Sequence, residues 1–411
     1  MTLGSVTTEA IAVANGQPYG ELPVPVREGW TFVGWFTEQG DDKGNLVTSA
    51  TVAELLTNQT LYAHWSEIKT LVSLSDLAYS FPNSREGFGY DADYRIDYGQ
   101  YAIIFGDTPA AKSNYEADET WGGNCYGISV TAGMFCQAGN EISVGDFKIG
   151  ASVPSELKLD NTNSRSGWNN MSLQAFIETM QVSQKNSSVQ NSIHKNKNRY
   201  EDMCSAVRVF QTTKFNPVVI AIARNKSGHA MLGYALVDIS NNESHLMVYD
   251  SNFPDTERYI TLYKSAGKIT GWYYHMNQQL DWGSNYDGSW ISYVPYSDFC
   301  VPWFTKGSGN TDGGRELLSV NTNSAEILDV FGQTVASVTL GDLQTSRDDI
   351  FPMLELAEEK GSEKKGLSVW LPLGEYTIVN KDPSLDSFQV TMVHQNQSTT
   401  VSTTASKVTF S

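Results

Sequence analysis

The stretch Trp121–Gly127, which reads WGGNCYG, places a cysteine directly after a glycine-rich turn. Apolar residues after it lie all round the helical repeat, which predicts a buried helix over Cys125–Cys136. At the first turn of such a helix, unpaired N–H groups and a partial positive charge stabilise a thiolate and can donate to an oxyanion. Cys125 is therefore either a nucleophile or a small buried hydrophobe, and position alone leaves both open.

A histidine farther along the chain supplies a partner for this thiol. His229 begins a predicted strand, and Asp250 and Asn252 follow the next one. A hairpin turn at residues 241–242 sets Gly233 opposite Asp250 and Met231 opposite Asn252, so that His229, Asp250 and Asn252 share one face. A cysteine and a histidine steered by a carboxylate or an amide form the arrangement that activates a thiol for acyl transfer.

These residues resemble the papain-like cysteine peptidase superfamily in their chain order of Cys, His and Asp or Asn. The pattern C-G-[SA]-C-[WY] is met at Gly123, Cys125 and Tyr126 but not at Gly122 or Asn124. The two strands that carry His229 and Asp250 also resemble those of bacteriocin-processing-type peptidases. The resemblance covers roughly residues 121–253 and implies Cys125, His229 and Asp250 or Asn252 as catalytic residues.

The oxyanion donor is where the sequence departs from that superfamily. A glutamine usually stands six residues before the nucleophile, but here that position is Glu119. The second donor, beside the Cys125 backbone N–H, is therefore expected from Asn124, from the Trp121 indole or from elsewhere.

The first 65 residues form a module of short strands and glycine turns. Strands are predicted over Ile11–Ala14, Thr31–Phe36 and Thr60–Trp65, with a short helix near Val52–Leu56. The segments GQPYGELP (16–23), REGWTFVGWFT (27–37) and LYAHW (61–65) resemble the B-repeat of internalin-type surface proteins, also called the Listeria–Bacteroides repeat. The resemblance implies a β-grasp-like module, in which His64 is expected to be a packed residue.

The expected fold is multidomain. It comprises a β-grasp-like module (1–66), an α+β papain-like domain (67–305), a linker (306–314) and an accessory all-β, sandwich-like domain (315–411). Within the central domain, residues 79–105 are expected to be loop-rich. Helices are predicted over Leu173–Met180 and Tyr200–Phe210, and strands over Pro217–Ala223, Ala230–Val237 and Leu246–Tyr249. Seven strands are expected in the last domain, the final one over Thr399–Phe410.

The amino-acid composition limits which classes of binding partner and which cellular locations we expect. The 411 residues carry a formal net charge of −18, which would repel a phosphate backbone and excludes nucleic acid as a favoured partner. No apolar run approaches the length of a membrane span. The residues after Met1 show no signal peptide, so we expect either a cytosolic chain or one whose leader has been removed. Composition and the repeat together favour an extracellular or surface location.

The four cysteines, Cys125, Cys136, Cys204 and Cys300, show no zinc-ligand spacing, so neither a metal nor another cofactor is expected. The last three are expected to be structural, or two of them disulfide-bonded if the protein is exported. The sequence thus predicts a secreted or surface cysteine peptidase acting on peptide or protein substrates. The flanking modules would bind a cell-wall or host-surface ligand. Two alternatives remain: an inactive surface adhesin of the same fold, and a Cys-His-His peptidoglycan amidase that uses His245.

Overall fold

The computed structural model describes most of the chain. The described residues are 10–20, 22–23, 25, 30–40, 43–54, 57–67, 70–118, 121–139, 142–165, 170–224, 227–240, 242–277, 280–286, 288–299, 315–322, 324–339, 342–345, 347, 349–354, 367–385, 387–394 and 397–410. The expected linker, Glu119 and Cys300 lie outside them. None of the described helices is long and apolar enough to cross a membrane.

The N-terminal residues form a small antiparallel sheet of three strands in the order β2-β1-β3. The strands are β1 (Trp30–Phe36), β2 (Leu46–Val47) and β3 (Tyr62–Glu67). Aromatic rings fill its interior, with Phe32 packed edge-on against Trp35 and against Trp65. His64 is buried and stacks on Phe36, and its Nε2 lies 2.8 Å from the Glu38 carbonyl oxygen, so it is a packed residue as predicted.

Two local predictions for this module are wrong. Residues 10–14 contain no strand, and the side chain of Ile11 is exposed, so no partner strand fixes an extended ladder there. The helix predicted near Val52–Leu56 is absent from its described residues, because Val52 instead forms a β-bridge with Pro18. The backbone of Ala53 is likewise bonded across to Gly16 and Gln17.

Helices dominate the next part of the chain. They are α1 (Leu74–Leu77), α2 (Arg85–Phe88), α3 (Tyr98–Phe105), α4 (Pro109–Ala117), α5 (Cys125–Cys136), α6 (Val144–Phe147), α7 (Leu173–Ser183), α8 (Ser187–Lys195) and α9 (Tyr200–Thr213), with a 3-10 turn over Pro154–Glu156. The stretch expected to be loop-rich thus holds α2 and α3. The start of α2 is fixed by Ser84, whose side chain accepts the Gly87 N–H as an N-cap. The prediction of loops rested on the aromatic residues and overlooked this cap.

A seven-stranded antiparallel sheet in the order β10-β4-β5-β6-β7-β8-β9 follows the helices. Its strands are β4 (Val218–Arg224), β5 (Ser227–Ser240), β6 (Glu243–Tyr249), β7 (Arg258–Ser265), β8 (Lys268–Asn277), β9 (Leu280–Gly283) and β10 (Trp290–Pro295). Helix α5 packs closely on α7 at Gly127 and on this sheet at Gly133. A Cβ on Gly127 would lie 2.2 Å from the Ile177 carbonyl oxygen, and one on Gly133 would lie 3.1 Å from Leu232.

The C-terminal part consists of two five-stranded antiparallel sheets. One has the order β15-β16-β11-β18-β19 and the other β14-β13-β12-β17-β20. The strands are β11 (Arg315–Val320), β12 (Ala325–Leu328), β13 (Thr334–Thr339), β14 (Asp342–Gln344), β15 (Phe351–Pro352), β16 (Leu367–Pro372), β17 (Tyr376–Asn380), β18 (Phe388–His394), β19 (Gln397–Thr403) and β20 (Lys407–Phe410). The strand predicted over Thr399–Phe410 is two strands, and β14 and β15 were missed because they are very short.

Apolar side chains of both C-terminal sheets form one core. Other apolar side chains of this C-terminal part are buried outside that core. Leu317, Phe351, Leu354 and Trp370 are buried in the same apolar cluster as α5 and α7. The C-terminal sheets are therefore packed onto the helical part of the chain. The segment Phe351–Leu354, which we call the strap, is hydrogen-bonded to this helical part through the backbone of Leu354.

Candidate active site

The glycine-rich turn and a buried asparagine position Cys125 at the start of α5. Gly123 has φ 135°, a conformation that L side chains rarely adopt, so this turn requires glycine. The next residue, Asn124, donates its backbone N–H to the Asn83 Oδ1 at 2.7 Å. Because nearly all of α5 is buried, its N-terminus lies inside the protein, and Cys125 is fully buried there.

His229 and Asp250 meet in the hairpin of β5 and β6, as the shared face predicted. His229 Nε2 lies 2.9 Å from Asp250 Oδ1, and neither side chain is exposed. The pairing differs from the prediction, because Gly233 lies opposite Val248 rather than Asp250. Two register shifts in β5 together displace the pairing by two residues. Because side chains alternate with a period of two, this displacement keeps the same residues on the same face.

The charge state of the pair follows from its burial and its mutual contact. Burial lowers the pKa of His229, but the Asp250 charge, the hydrogen bond to Asp250 and the neighbouring Cys125 thiol outweigh it and raise this pKa to about 10. Burial raises the pKa of Asp250, yet His229 and the other hydrogen-bond donors hold it below its ordinary value. The pair is therefore an imidazolium and a carboxylate near neutral pH.

The other ring nitrogen of His229 is available for Cys125. Nε2 is directed at Asp250, and the buried Nδ1 has no hydrogen bond of good geometry among the described residues. The Cys125 side chain adjoins the ring closely enough to raise the His229 pKa. The imidazole thus has a carboxylate at Nε2 and a thiol among its neighbours.

Two aromatic residues that the sequence did not single out complete the surroundings of the pair. The Tyr274 hydroxyl donates a hydrogen bond to Asp250 Oδ2. Trp282 is fully buried and packs edge-on against the His229 ring, with centroids 6.2 Å apart. Both come from β8 and β9, strands for which the sequence analysis made no prediction, so only the tertiary fold brings them to the site.

Asn83 is a further residue that the sequence did not reveal. Its Nδ2 donates to Asn252 Oδ1 at 2.9 Å, and its backbone N–H donates to the Ser251 carbonyl at 2.9 Å. Since its Oδ1 also accepts from Asn124, Asn83 ties the turn before Cys125 to the end of β6. Asn252, one of the two predicted orienting residues, donates its backbone N–H to Asp250 Oδ1. In this structure Asp250 is hydrogen-bonded to His229, and Asn252 helps to hold Asp250.

The predicted oxyanion donors have different surroundings. The Asn124 Nδ2 donates to the Tyr90 hydroxyl at 3.3 Å, and Tyr90 is in turn bonded to the buried Glu178. The Trp121 Nε1 is buried and has no hydrogen-bond partner within the described part of the chain. Glu119 lies outside that part. Trp121 thus keeps an indole N–H that is not already committed to another described group.

The other cysteines and histidines have separate surroundings. Burial raises the pKa of the Cys136 thiol to about 11 and that of Cys204 to about 12, so both are poor nucleophiles. His245 lies opposite Val237, eight residues along β5 from His229, and its Nε2 is 2.8 Å from Glu243. The described residues contain no group of three or more His, Cys, Asp and Glu side chains able to hold a metal ion.

Comparison with known proteins identifies one part of the chain. Residues 3–64 match the family model of the Listeria-Bacteroides repeat domain, which confirms the resemblance of the first module. No curated protein and no solved structure matches the chain.

Proposed function

We propose that this chain is a cysteine peptidase in which Cys125, His229 and Asp250 act together. In the reacting state the proton of the thiol is already on His229 Nδ1, and the Cys125 Sγ attacks the carbonyl carbon of a peptide bond as a thiolate. His229 then gives that proton to the leaving amine as the C–N bond breaks, which leaves a thioester on Cys125. A water molecule then gives a proton to His229 and attacks the thioester, and the C–S bond breaks, which restores the Cys125 thiolate and the protonated His229.

The observation that carries this proposal is the position of His229. Its Nε2 is 2.9 Å from Asp250, and Cys125 is close enough to the same ring to raise its pKa. A histidine with a pKa raised to about 10 by Asp250 readily holds the proton taken from a thiol. Tyr274 and the Asn252 backbone N–H support the carboxylate, so the imidazole has little freedom to turn away.

The oxyanion is proposed to be bound by the Cys125 backbone N–H at the start of α5, with the Trp121 indole N–H as the second donor. The first donor follows from the position of Cys125 at the helix N-terminus. The second follows from the uncommitted, buried Nε1 of Trp121.

A surface location is part of the proposal. The Listeria-Bacteroides repeat is a module of bacterial surface proteins, and here it precedes the catalytic residues in the chain. In this arrangement the repeat would bind a cell-wall or host-surface ligand, and the active site would act on peptides or proteins nearby.

A second candidate, a surface binding protein without activity, is favoured by one observation. Cys125, His229 and Asp250 are all fully buried, so no substrate reaches the thiol in the conformation described. The amidase alternative gains no such support. Its second histidine, His245, contacts Glu243 and stacks on Tyr259, away from the hairpin end that carries His229.

Covalent labelling distinguishes the peptidase from the binding protein. We expect an epoxide inhibitor of cysteine peptidases to add one equivalent to the protein, located at Cys125 by peptide mass mapping. Cys125→Ala and His229→Ala should each abolish labelling, whereas Cys136→Ala, the matched cysteine at the other end of α5, should retain it. Labelling that survives Cys125→Ala, or that is lost in Cys136→Ala alone, would refute the proposed nucleophile.

A further inference from the structure

The strap contacts chain segments that flank the candidate active site on the cysteine side and on the histidine side. Its Met353 lines a narrow cavity whose wall also includes Trp121, Gly122 and Gly123, the turn that precedes Cys125. Its Leu354 forms a parallel β-bridge with Gly228, the residue directly before His229. The strap thus contacts the segments that carry both proposed catalytic residues.

Two buried glutamines of α7 and its C-terminal end hold the backbone of the strap. The Leu354 N–H donates to Gln184 Oε1 at 2.9 Å. The Leu354 carbonyl accepts from Gln181 Nε2 at 2.8 Å and from Gln184 Nε2 at 3.0 Å. These bonds satisfy both backbone polar groups of Leu354 and would be equally available to any extended peptide, because they do not involve a side chain of the strap.

Gln181 also links the hydrogen bonds to the strap backbone with the helix that carries Cys125. Its Oε1 accepts the Gly127 N–H, in the first turn of α5, at 2.9 Å. One amide side chain therefore bonds the strap on one side and the helix of Cys125 on the other.

The strap lies against Gly228 at the start of β5 and against Gln181 and Gln184, and we call the surface that these residues form the groove. Gly228 shows that the strap fits this groove closely. A Cβ at position 228 would lie 2.5 Å from the Met353 carbonyl oxygen, so any larger residue would push the strap away. The Leu354 side chain is buried in the same apolar cluster as α5 and α7. The groove thus offers backbone pairing along Gly228, two glutamine amides and an apolar position for one side chain.

We propose that this groove is the substrate-binding groove, that it takes an extended peptide with an apolar residue at the Leu354 position, and that the strap is its built-in occupant. This inference rests on the peptidase proposed above. It also explains why the catalytic residues are fully buried, since the occupied groove closes the route to Cys125. Substrate would bind after the strap leaves, using the same glutamine bonds.

The test is the accessibility of Cys125 in the full-length chain. We expect Leu354→Asp to increase the rate of Cys125 alkylation by iodoacetamide at least ~10-fold, which corresponds to ~1.4 kcal/mol in the opening equilibrium. The milder Leu354→Ala should give a smaller increase in the same direction. Leu373→Asp, which adds the same charge at an exposed leucine of the same C-terminal region, is the matched control and should leave the rate unchanged.

A second variant distinguishes release of the strap from binding of the substrate. Gly228→Ala should increase Cys125 alkylation, because the strap is displaced, and should at the same time weaken binding of extended peptides. A synthetic peptide of sequence IFPML, copying residues 350–354, should slow alkylation of the Leu354→Asp chain again. If alkylation is equally slow in wild type, Leu354→Asp, Leu354→Ala and Gly228→Ala, with all variants folded by circular dichroism, the strap does not close the route to Cys125 and the inference is wrong.

The outcomes also separate this inference from the proposed function. Faster alkylation without hydrolysis of any peptide would support the strap and refute the peptidase. Hydrolysis by wild type, with no effect of the strap variants on either alkylation or turnover, would support the peptidase and refute the strap.

Discussion

Replacing Asp250 with asparagine removes the charge that determines the protonation of His229 while keeping the size of the side chain. The carboxylate oxygen is 2.9 Å from Nε2, and both groups are fully buried. At an effective dielectric constant of about 20, two unit charges at that distance attract by roughly 6 kcal/mol, which equals about 4 pKa units. We therefore expect the His229 pKa to fall from about 10 to near or below its ordinary value of 6.5.

NMR titration of the imidazole resonances measures this change directly. The matched control is Asp281→Asn, because Asp281 is paired with the exposed His275 at 2.6 Å in the same sheet. That variant should leave the His229 titration unchanged. A His229 pKa that stays near 10 in Asp250→Asn would refute the assignment of Asp250 as its charge partner.

The same shift has a consequence for stability. Because the folded pKa of His229 is raised above its unfolded value, its contribution is fully present below about pH 6.5 and is lost as the pH rises through about 10. Urea unfolding at pH 7 and pH 10.5 should therefore show a larger loss of unfolding free energy in wild type than in Asp250→Asn. Equal losses in both proteins would contradict the coupling.

Three further predictions concern the supports of the site and the chain organisation. Asn83→Ala should lower the unfolding free energy by about 1–3 kcal/mol in chemical denaturation, because it removes the hydrogen bonds of Asn83 to the buried Asn124 and Asn252; an unchanged value would contradict this bonding. Gly127→Ala should lower the melting temperature, since its Cβ would meet the Ile177 carbonyl at 2.2 Å, and a wild-type melting curve would show that α5 and α7 are not packed so closely. Limited proteolysis should cut within residues 65–71 and 306–314, and cleavage chiefly inside 217–249 would contradict the proposed domain boundaries.

The parts of the fold that the sequence predicted are those with strong local signals. Helix α5 begins and ends at the predicted residues, and it is buried because its apolar positions wrap fully round the helix. The shared face of His229 and Asp250 was predictable because strand alternation has a fixed period, and the two register shifts together preserve it.

The rest of the site depends on contacts between distant segments. Asn83 lies 41 residues before Asn124 and 169 before Asn252, and nothing in its local sequence marks the bonds it makes to them. The strap was missed because its strand, β15, has two residues and is recognisable only from its pairing with β16. The strand predicted over Ile11–Ala14 is absent, because a short apolar run forms a strand only where a partner strand is present.

Cleavage of a peptide library by the full-length chain tests the central claim most directly, when wild type and Leu354→Asp are each compared with their Cys125→Ala counterparts. We expect cleavage next to apolar residues, faster in Leu354→Asp than in wild type and absent from both proteins that lack Cys125. If neither wild type nor Leu354→Asp cleaves any peptide, or if cleavage persists without Cys125, the chain is not a peptidase of the proposed kind.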